Sequence, residues 1–387
     1  MKTNLFLLIS LFFSNFIYGQ YKVKFEVKQT SAIHAVDKIF IAGSFNNWDP
    51  SLKENSFNID QSGSGNFEMQ LPAGNYEYKF TRGTWDKVEC LADGKDAANR
   101  TLSLQTDTTI YISLAGWRDD FPKESVVRKH TASANVKIVD SAFKIPQLNR
   151  QRRIWIYLPA DYKSGKKRYP VIYMHDGQNL FDEATSAFGE WGIDEYLDSL
   201  FAKRKKECII VGIDNGGDKR INEYSPYDFK LTDNGLTQNI KAEGKLYVDF
   251  LVKMLKPFID SHFHTLSDRQ NTFIAGSSVG GVISFYAVLK FPSIFGGAGI
   301  FSPAFWTADG IDKDVKLHAS KVNSKLFFYA GGKESDKMVP DMKRIEEELK
   351  AVSKSPFTEI IDPDAKHNEA AWRKYFPDFY QWIFGIK

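Results

Sequence analysis

Short runs in which apolar and polar positions alternate mark residues 21–115, and they give way to a different pattern beyond 134. In the first stretch "YKVKFEV", "KIFIAGSF", "FEMQL", "YEYKF" and "TIYISL" carry apolar side chains at every second place, the period of a half-buried strand. Between them "NNWDP", "QSGSGN" and "PAGN" supply turn chemistry, and no long 3.6-residue period intervenes. The pattern predicts a small antiparallel β-sandwich over 21–115. The mixed-charge stretch that follows predicts a linker over 116–133.

From 134 the rhythm changes. "RRIWIYLP" reads as a strand, and "VIYM", "CIIVGI", "NTFIAGSS", "FGGAGIF" and "KLFFYAGG" are short continuous apolar runs. Such runs suit strands buried on both faces of a parallel sheet. Helical patterns separate them. In "KLYVDFLVKMLKPFIDSHF", Phe250, Met254 and Phe258 recur at i+4, as do Leu251, Leu255 and Ile259. "VISFYAVLKF", "MVPDMKRIEEELKAV" and "EAAWRKYFPDFYQWIF" add further helices. Alternating β and α predicts a doubly wound, mostly parallel α/β domain over 134–387. Chemistry in such a fold sits at the carboxyl ends of the strands.

A length of 387 residues exceeds one ordinary core, in keeping with two domains. A formal net charge of +3 gives no reason to expect nucleic acid or an anionic membrane as partner. The opening "MKTNLFLLISLFFSNFIYGQ" has one Lys, an apolar stretch too short for a membrane span, then small and polar residues. That pattern predicts a secretory signal over 1–19, cut near Gly19. A secreted or periplasmic protein with no span after cleavage is expected. Cys90 and Cys208 fall in different predicted domains, so no disulfide framework is expected, and Cys208 reads as a buried thiol. No His or Cys pair has metal-ligand spacing.

Gly276-Ser277-Ser278-Val279-Gly280 fits G-x-S-x-G between a buried strand and a helix. Strand, tight turn and helix are the setting that presents a serine nucleophile, with the N–H of Val279 free to face an oxyanion. A serine needs a base and an orienting acid, in the chain order Ser, acid, His. His34 and His130 lie outside the α/β half, and His175, His262, His264 and His318 precede the last predicted strands. His367, in "DPDAKHNEAAW", remains as the base. The strand "KLFFYAGG" leads to Glu334 as acid, with Asp336 as runner-up. The loop after "VIYM" offers the N–H of Gln178 as second oxyanion donor, while His175 and Asp176 read as residues that brace this turn. Tyr224, in the long loop 216–236, and Trp306, in "SPAFW", are expected to line the substrate cleft. Arg220 and Glu223 are expected to pair and hold that loop.

"YPVIYMHDGQNLFD", "GEWGIDEYLDSL", "IIVGIDNGGDKRINEYSPYD", "FIAGSSVGG", "FSPAFW", "YAGGKES" and "KHNEAAWRKYFPDFYQWIF" together resemble the esterase D / enterochelin-esterase-like group of α/β-hydrolases, which includes feruloyl and acetylxylan esterases. The resemblance covers roughly 135–387. It implies Ser278 as nucleophile, His367 as base and the acid at Glu334, a position where many relatives carry Asp. It also implies a metal-independent reaction with no cofactor. Residues 21–115, through "KIFIAGSFNNWDPSL", "LPAGNYEYKFTRGTWDKVE" and "ANR", resemble the early-set β-sandwich of glycogen-binding modules. That likeness implies glycan contacts at Trp85, Lys79, Asn99 and Trp48, through rings that cover the apolar face of a sugar.

The expected function is an exported serine esterase acting on ester-decorated polysaccharide or oligosaccharide. A siderophore trilactone esterase is the alternative within enzymes. A glycan-binding protein with a non-catalytic hydrolase scaffold is the alternative outside them.

Overall fold

The computed structural model describes residues 20–29, 34, 37–121, 129–203, 205–233 and 236–386. The signal segment expected at 1–19 lies outside the described residues. The chain divides into two compact units, Met1–Val126 with Asp233–Leu236, and Val127–Thr232 with Thr237–Lys387.

The first unit is all β. Its strands are β1 (Gln20–Gln29), β2 (Lys38–Gly43), β3 (Ser56–Asn58), β4 (Ser64–Pro72), β5 (Gly74–Thr81), β6 (Glu89–Cys90), β7 (Arg100–Leu104), β8 (Thr108–Leu114) and β9 (Gly116–Trp117). They form a β4-β1-β8 sheet, a β3-β2-β5-β7 sheet and a β6-β9 pair. Alternate residues such as Val23, Phe25, Ile39, Ile41, Tyr78 and Phe80 turn inward to make one core. Two expectations change. The β1–β8 pairing is parallel, so the sandwich is not purely antiparallel. The predicted linker also begins too early. Trp117 is fully buried in this core, and its Nε1 donates to Gln29 Oε1 at 3.0 Å. A charged flank had masked a core aromatic. At the far end of the expected linker, the N–H of Ser133 already donates to Asp194 in the second unit.

The second unit is the α/β-hydrolase fold. One eight-stranded sheet runs β10 (Val136–Ile145), β11 (Arg150–Tyr157), β13 (Ile209–Ile213), β12 (Val171–His175), β16 (Thr272–Ser277), β17 (Gly297–Phe301), β18 (Lys325–Gly331) and β19 (Phe357–Asp362). A separate pair joins β14 (Phe229–Asp233) to β15 (Leu236–Ile240). From β13 to β19 every neighbour is parallel, while β10 and β11 close one edge antiparallel.

The helices are α1 (Ile193–Ala202), α2 (Arg220–Tyr224), α3 (Gly244–Phe250), α4 (Lys256–His262), α5 (Val279–Lys290), α6 (Ile311–His318), α7 (Met338–Val352) and α8 (Glu369–Phe384). Strand pleating sends successive side chains to opposite faces. Val171 and Tyr173 join α3 to α7 on one side, while Ile172 and Met174 join α1 and α8 on the other. Every residue of β12, β13, β16 and β17 is buried, which is why these strands read as unbroken apolar runs. Burial of Phe376, Phe379 and Tyr380 on α8 contributes on the order of 2 kcal/mol each.

The single helix expected over 245–263 is interrupted by a π-helical stretch at Leu251–Leu255. Pro257 follows it, and a proline lacks the N–H that would bond the preceding turn and crowds that turn's carbonyl. Cys208 is fully buried, and burial raises its thiol pKa.

Candidate active site

β16 ends at Ser277 and α5 begins at Val279, so Ser278 alone makes the turn between them. Its backbone sits at φ 60°, ψ −126°, a conformation costly for a residue with a side chain. Surrounding hydrogen bonds hold it. The N–H of Ser278 donates to Phe301 O at 2.9 Å, and Ser278 O accepts from Gly281 N at 3.0 Å.

The flanking glycines serve close approach rather than backbone sign. A Cβ on Gly276 would lie 2.8 Å from His175 Cδ2, and one on Gly281 would lie 2.9 Å from Phe301 O. At Gly280, the last glycine of the motif, the nearest atom would be 3.5 Å away, an ordinary contact. Val279 and Gly280 open α5, where helix geometry leaves backbone N–H groups without intrahelical acceptors.

His367 lies on the loop between β19 and α8. Its Nδ1 is 2.7 Å from Glu334 Oε2. Glu334 Oε1 accepts from Gly331 N at 2.7 Å and from Ser302 Oγ at 2.6 Å. Ser302 Oγ in turn accepts from Trp372 Nε1 at 2.8 Å. The Glu334 side chain is 1% exposed, whereas Asp336 is exposed. Glu334 is therefore the carboxylate that meets His367. As an acceptor it draws the imidazole proton to Nδ1 and leaves Nε2 bare.

Bare α-carbons at Gly331 and Gly332 allow the His367 loop to cross β18. Cβ atoms there would lie 2.5 Å from Ala365 O and 2.7 Å from Pro363 O. Ion pairing with Lys374 and a hydrogen bond from Tyr375 pin Asp362 at the loop's root and hold its carboxyl at about 2.

Ser278, His367 and Gln178 line one cleft of about 700 Å³. The turn that carries Gln178 is held from below. Asp176, at φ 57°, receives Arg220 Nε at 2.7 Å and Nη2 at 2.8 Å, and Asn215 Nδ2 at 2.8 Å. Burial alone would raise the Asp176 carboxyl, yet the Arg220 charge leaves it lowered. Gln178 O accepts from Thr185 Oγ1, and Gln178 Oε1 accepts from Asn215 N. His175 is buried, with Nδ1 2.9 Å from Tyr247 Oη, and burial lowers its pKa to about 4.

Several expected residues fall elsewhere. Tyr224 does not line the cleft. It is fully buried, packed on His175 and Tyr247, and its Oη accepts from Asp176 N at 3.4 Å. Trp306 packs against the core on the α3–α7 side of the sheet and does not line the cleft either. The cleft's aromatic wall is Phe188, Trp191 and Trp372, with Phe188 80% exposed. Arg220 pairs with Asp176 and not with Glu223, which instead binds Arg150 and Arg152 at 2.8 and 2.6 Å.

In the β-unit, the Trp48 and Trp85 rings lie 6.2 Å apart, with Trp85 43% exposed. Lys79 Nζ is engaged by Ala97 O at 2.6 Å, and Asn99 Nδ2 by Glu77 Oε2 at 2.9 Å.

The Esterase family model, described as "Putative esterase", matches residues 145–383. The chain belongs to this family. It is a carboxylic ester hydrolase. The esterase is 26% identical over 250 residues to "Uncharacterized protein YbbA" of Bacillus subtilis (strain 168), covering 60% of this chain and 93% of that protein. It is 27% identical over 235 residues to an "Endo-1,4-beta-xylanase/feruloyl esterase" of Xylanibacter ruminicola, covering 59% of this chain but only 29% of that longer protein. Among solved structures, the enterobactin esterase FES of Shigella flexneri matches with a TM-score of 0.50 at 14% identity, over 94% of this chain and 92% of its own. At that identity the likeness is one of fold. No described helix of the esterase is long and apolar enough to cross a membrane.

Proposed function

We propose that the esterase works through a covalent acyl-enzyme on Ser278. His367 Nε2 takes the hydroxyl proton as Oγ attacks the ester carbonyl carbon. The same proton passes to the departing alkoxide, which leaves as the alcohol. Water, deprotonated by His367, then attacks the acyl carbon and frees the acid and Ser278. Glu334 holds the imidazole by Nδ1. The backbone N–H groups of Val279 and Gln178 face the oxyanion, and losing one such donor costs about 3 kcal/mol of barrier. The observation that carries this reading is the 2.7 Å Glu334–His367 bond beside a serine held in a strained turn on the same cleft.

The substrate we propose is an acetyl- or feruloyl-type ester on a polysaccharide or oligosaccharide, cleaved outside the cytoplasm after removal of residues 1–19. The aromatic cleft wall and the feruloyl esterase relative support it. The Trp48–Trp85 pair would offer the sugar a platform in the β-unit. A siderophore ester is the second reading, favoured by the length of the match to the enterobactin esterase structure.

One panel separates these readings: acetylated xylan, methyl ferulate, 4-nitrophenyl acetate and enterobactin, with wild type and Ser278→Ala. Turnover by Ser278→Ala would refute the acyl-enzyme, and a preference for enterobactin would refute the carbohydrate assignment. Glucan retention unchanged by Trp85→Ala would remove the platform.

A further inference from the structure

Most polar groups on the cleft wall are already committed. Asp176 is bound by a bidentate Arg220, and Gln178 is tied to Asn215 and Thr185. Glu369 differs. It is the first residue of α8, lines the cleft with Ser278 and His367, and is 6% exposed. Its side-chain partner is Asn179, whose Nδ2 donates to Oε1 across a long 3.3 Å. Asn179 Oδ1 is itself buried without a donor. Burial, with the nearby Asp176 charge, pushes the Glu369 carboxyl above its usual range. The Arg220 charge, which could have balanced Glu369, is held by Asp176.

This wall therefore presents acceptors and the Glu369 carboxylate, which feels the Arg220 and His367 charges only at a distance because Asp176 and Glu334 bind those groups directly. Charges of like sign repel strongly where water is largely excluded, and a repulsive group of this kind sets selectivity against a competitor. We propose that Glu369 is a specificity-determining residue that makes the cleft favour uncharged esters and reject esters bearing an anionic group. The proposal rests on the acyl-enzyme reading above, since it concerns what may approach Ser278.

The test uses two esters of nearly equal shape, 4-nitrophenyl butyrate and 4-nitrophenyl succinate, at pH 8 and low salt with the full chain. Wild type is expected to prefer the butyrate by about tenfold or more in kcat/KM, on the scale of one unit charge in a partly desolvated site. Glu369→Gln should cut that ratio about tenfold, and Glu369→Asp, which keeps the charge, should preserve it. A packing role alone would lower both rates together and leave the ratio unmoved. A wild type that turns over both esters equally overturns the proposal. So does a folded Glu369→Gln, judged by its melting temperature, whose ratio stays within about twofold of wild type. Ser278→Ala runs alongside: turnover it retains counts against the acyl-enzyme, whereas an inactive Ser278→Ala with an unmoved Glu369→Gln ratio counts against Glu369 alone.

Discussion

Replacing Glu334 with Gln exchanges one oxygen for an NH₂ group and should reverse the polarity of the whole relay. Glu334 Oε1 receives two donors, Gly331 N–H and the Ser302 hydroxyl. The Ser302 hydroxyl, which also accepts from Trp372 Nε1, can rotate, but the Gly331 N–H is fixed by the backbone. A glutamine must therefore keep its carbonyl oxygen at the Oε1 position, since its NH₂ there would face a fixed N–H. The NH₂ is then forced onto His367 Nδ1, 2.7 Å away in the native pair. The imidazole can accept that bond only by moving its proton to Nε2, the atom that has to take the Ser278 proton. Wrong-tautomer substitutions of this kind cost about 10³–10⁴ in kcat, or roughly 4–5.5 kcal/mol of barrier. The assay is 4-nitrophenyl acetate hydrolysis across pH 6–9, with circular dichroism and melting to show that the variant is folded. A folded Glu334→Gln within about tenfold of wild type would refute the assignment of Glu334 as the orienting carboxylate.

Gly276→Ala should lower both melting temperature and activity, because its new methyl meets His175 at 2.8 Å, whereas Gly280→Ala should fold normally. Comparing the two melts checks this. Arg220→Met leaves Asp176 buried and unpaired, and should cost about 3–5 kcal/mol in urea unfolding. Glu346 is fully buried, and burial with the Glu359 charge raises its carboxyl from 4.5 to about 7. The folded chain then binds its proton more tightly than the unfolded one, so this group's stabilising contribution fades as pH rises from 4.5 to about 7. Glu346→Gln should gain stability over wild type across that window and hold the gain above it. Paired melts at pH 5 and pH 8 test the sign.

The sheet and the elbow were legible in sequence because both rest on local rules. Buried parallel strands have to be apolar throughout, and a turn between strand and helix is crowded enough to demand small neighbours. His367 followed from chain order, and Glu334 from its place after a strand end. Ser302 was not legible, since its importance lies in a bond to Trp372, 70 residues away. Tyr224 and Trp306 were misjudged for a related reason. An aromatic in a long loop can face solvent or seal the core, and only the packing of His175 and Tyr247 decides that Tyr224 seals it. Trp117 shows the converse, a core residue hidden by the charges that follow it.

The elbow is built from the sheet's own backbone: Ser278 is held by Phe301 of the neighbouring strand and by the first turn of α5. Phe188 and its neighbours, by contrast, sit on a connection between strands. A lineage could exchange the part of that connection beyond Thr185, and so acquire a new diet, without disturbing the bond-breaking apparatus beneath. Grafting segment 186–190 from a relative with different tastes, which leaves the Thr185 bond to Gln178 in place, is accordingly a route to retargeting the enzyme.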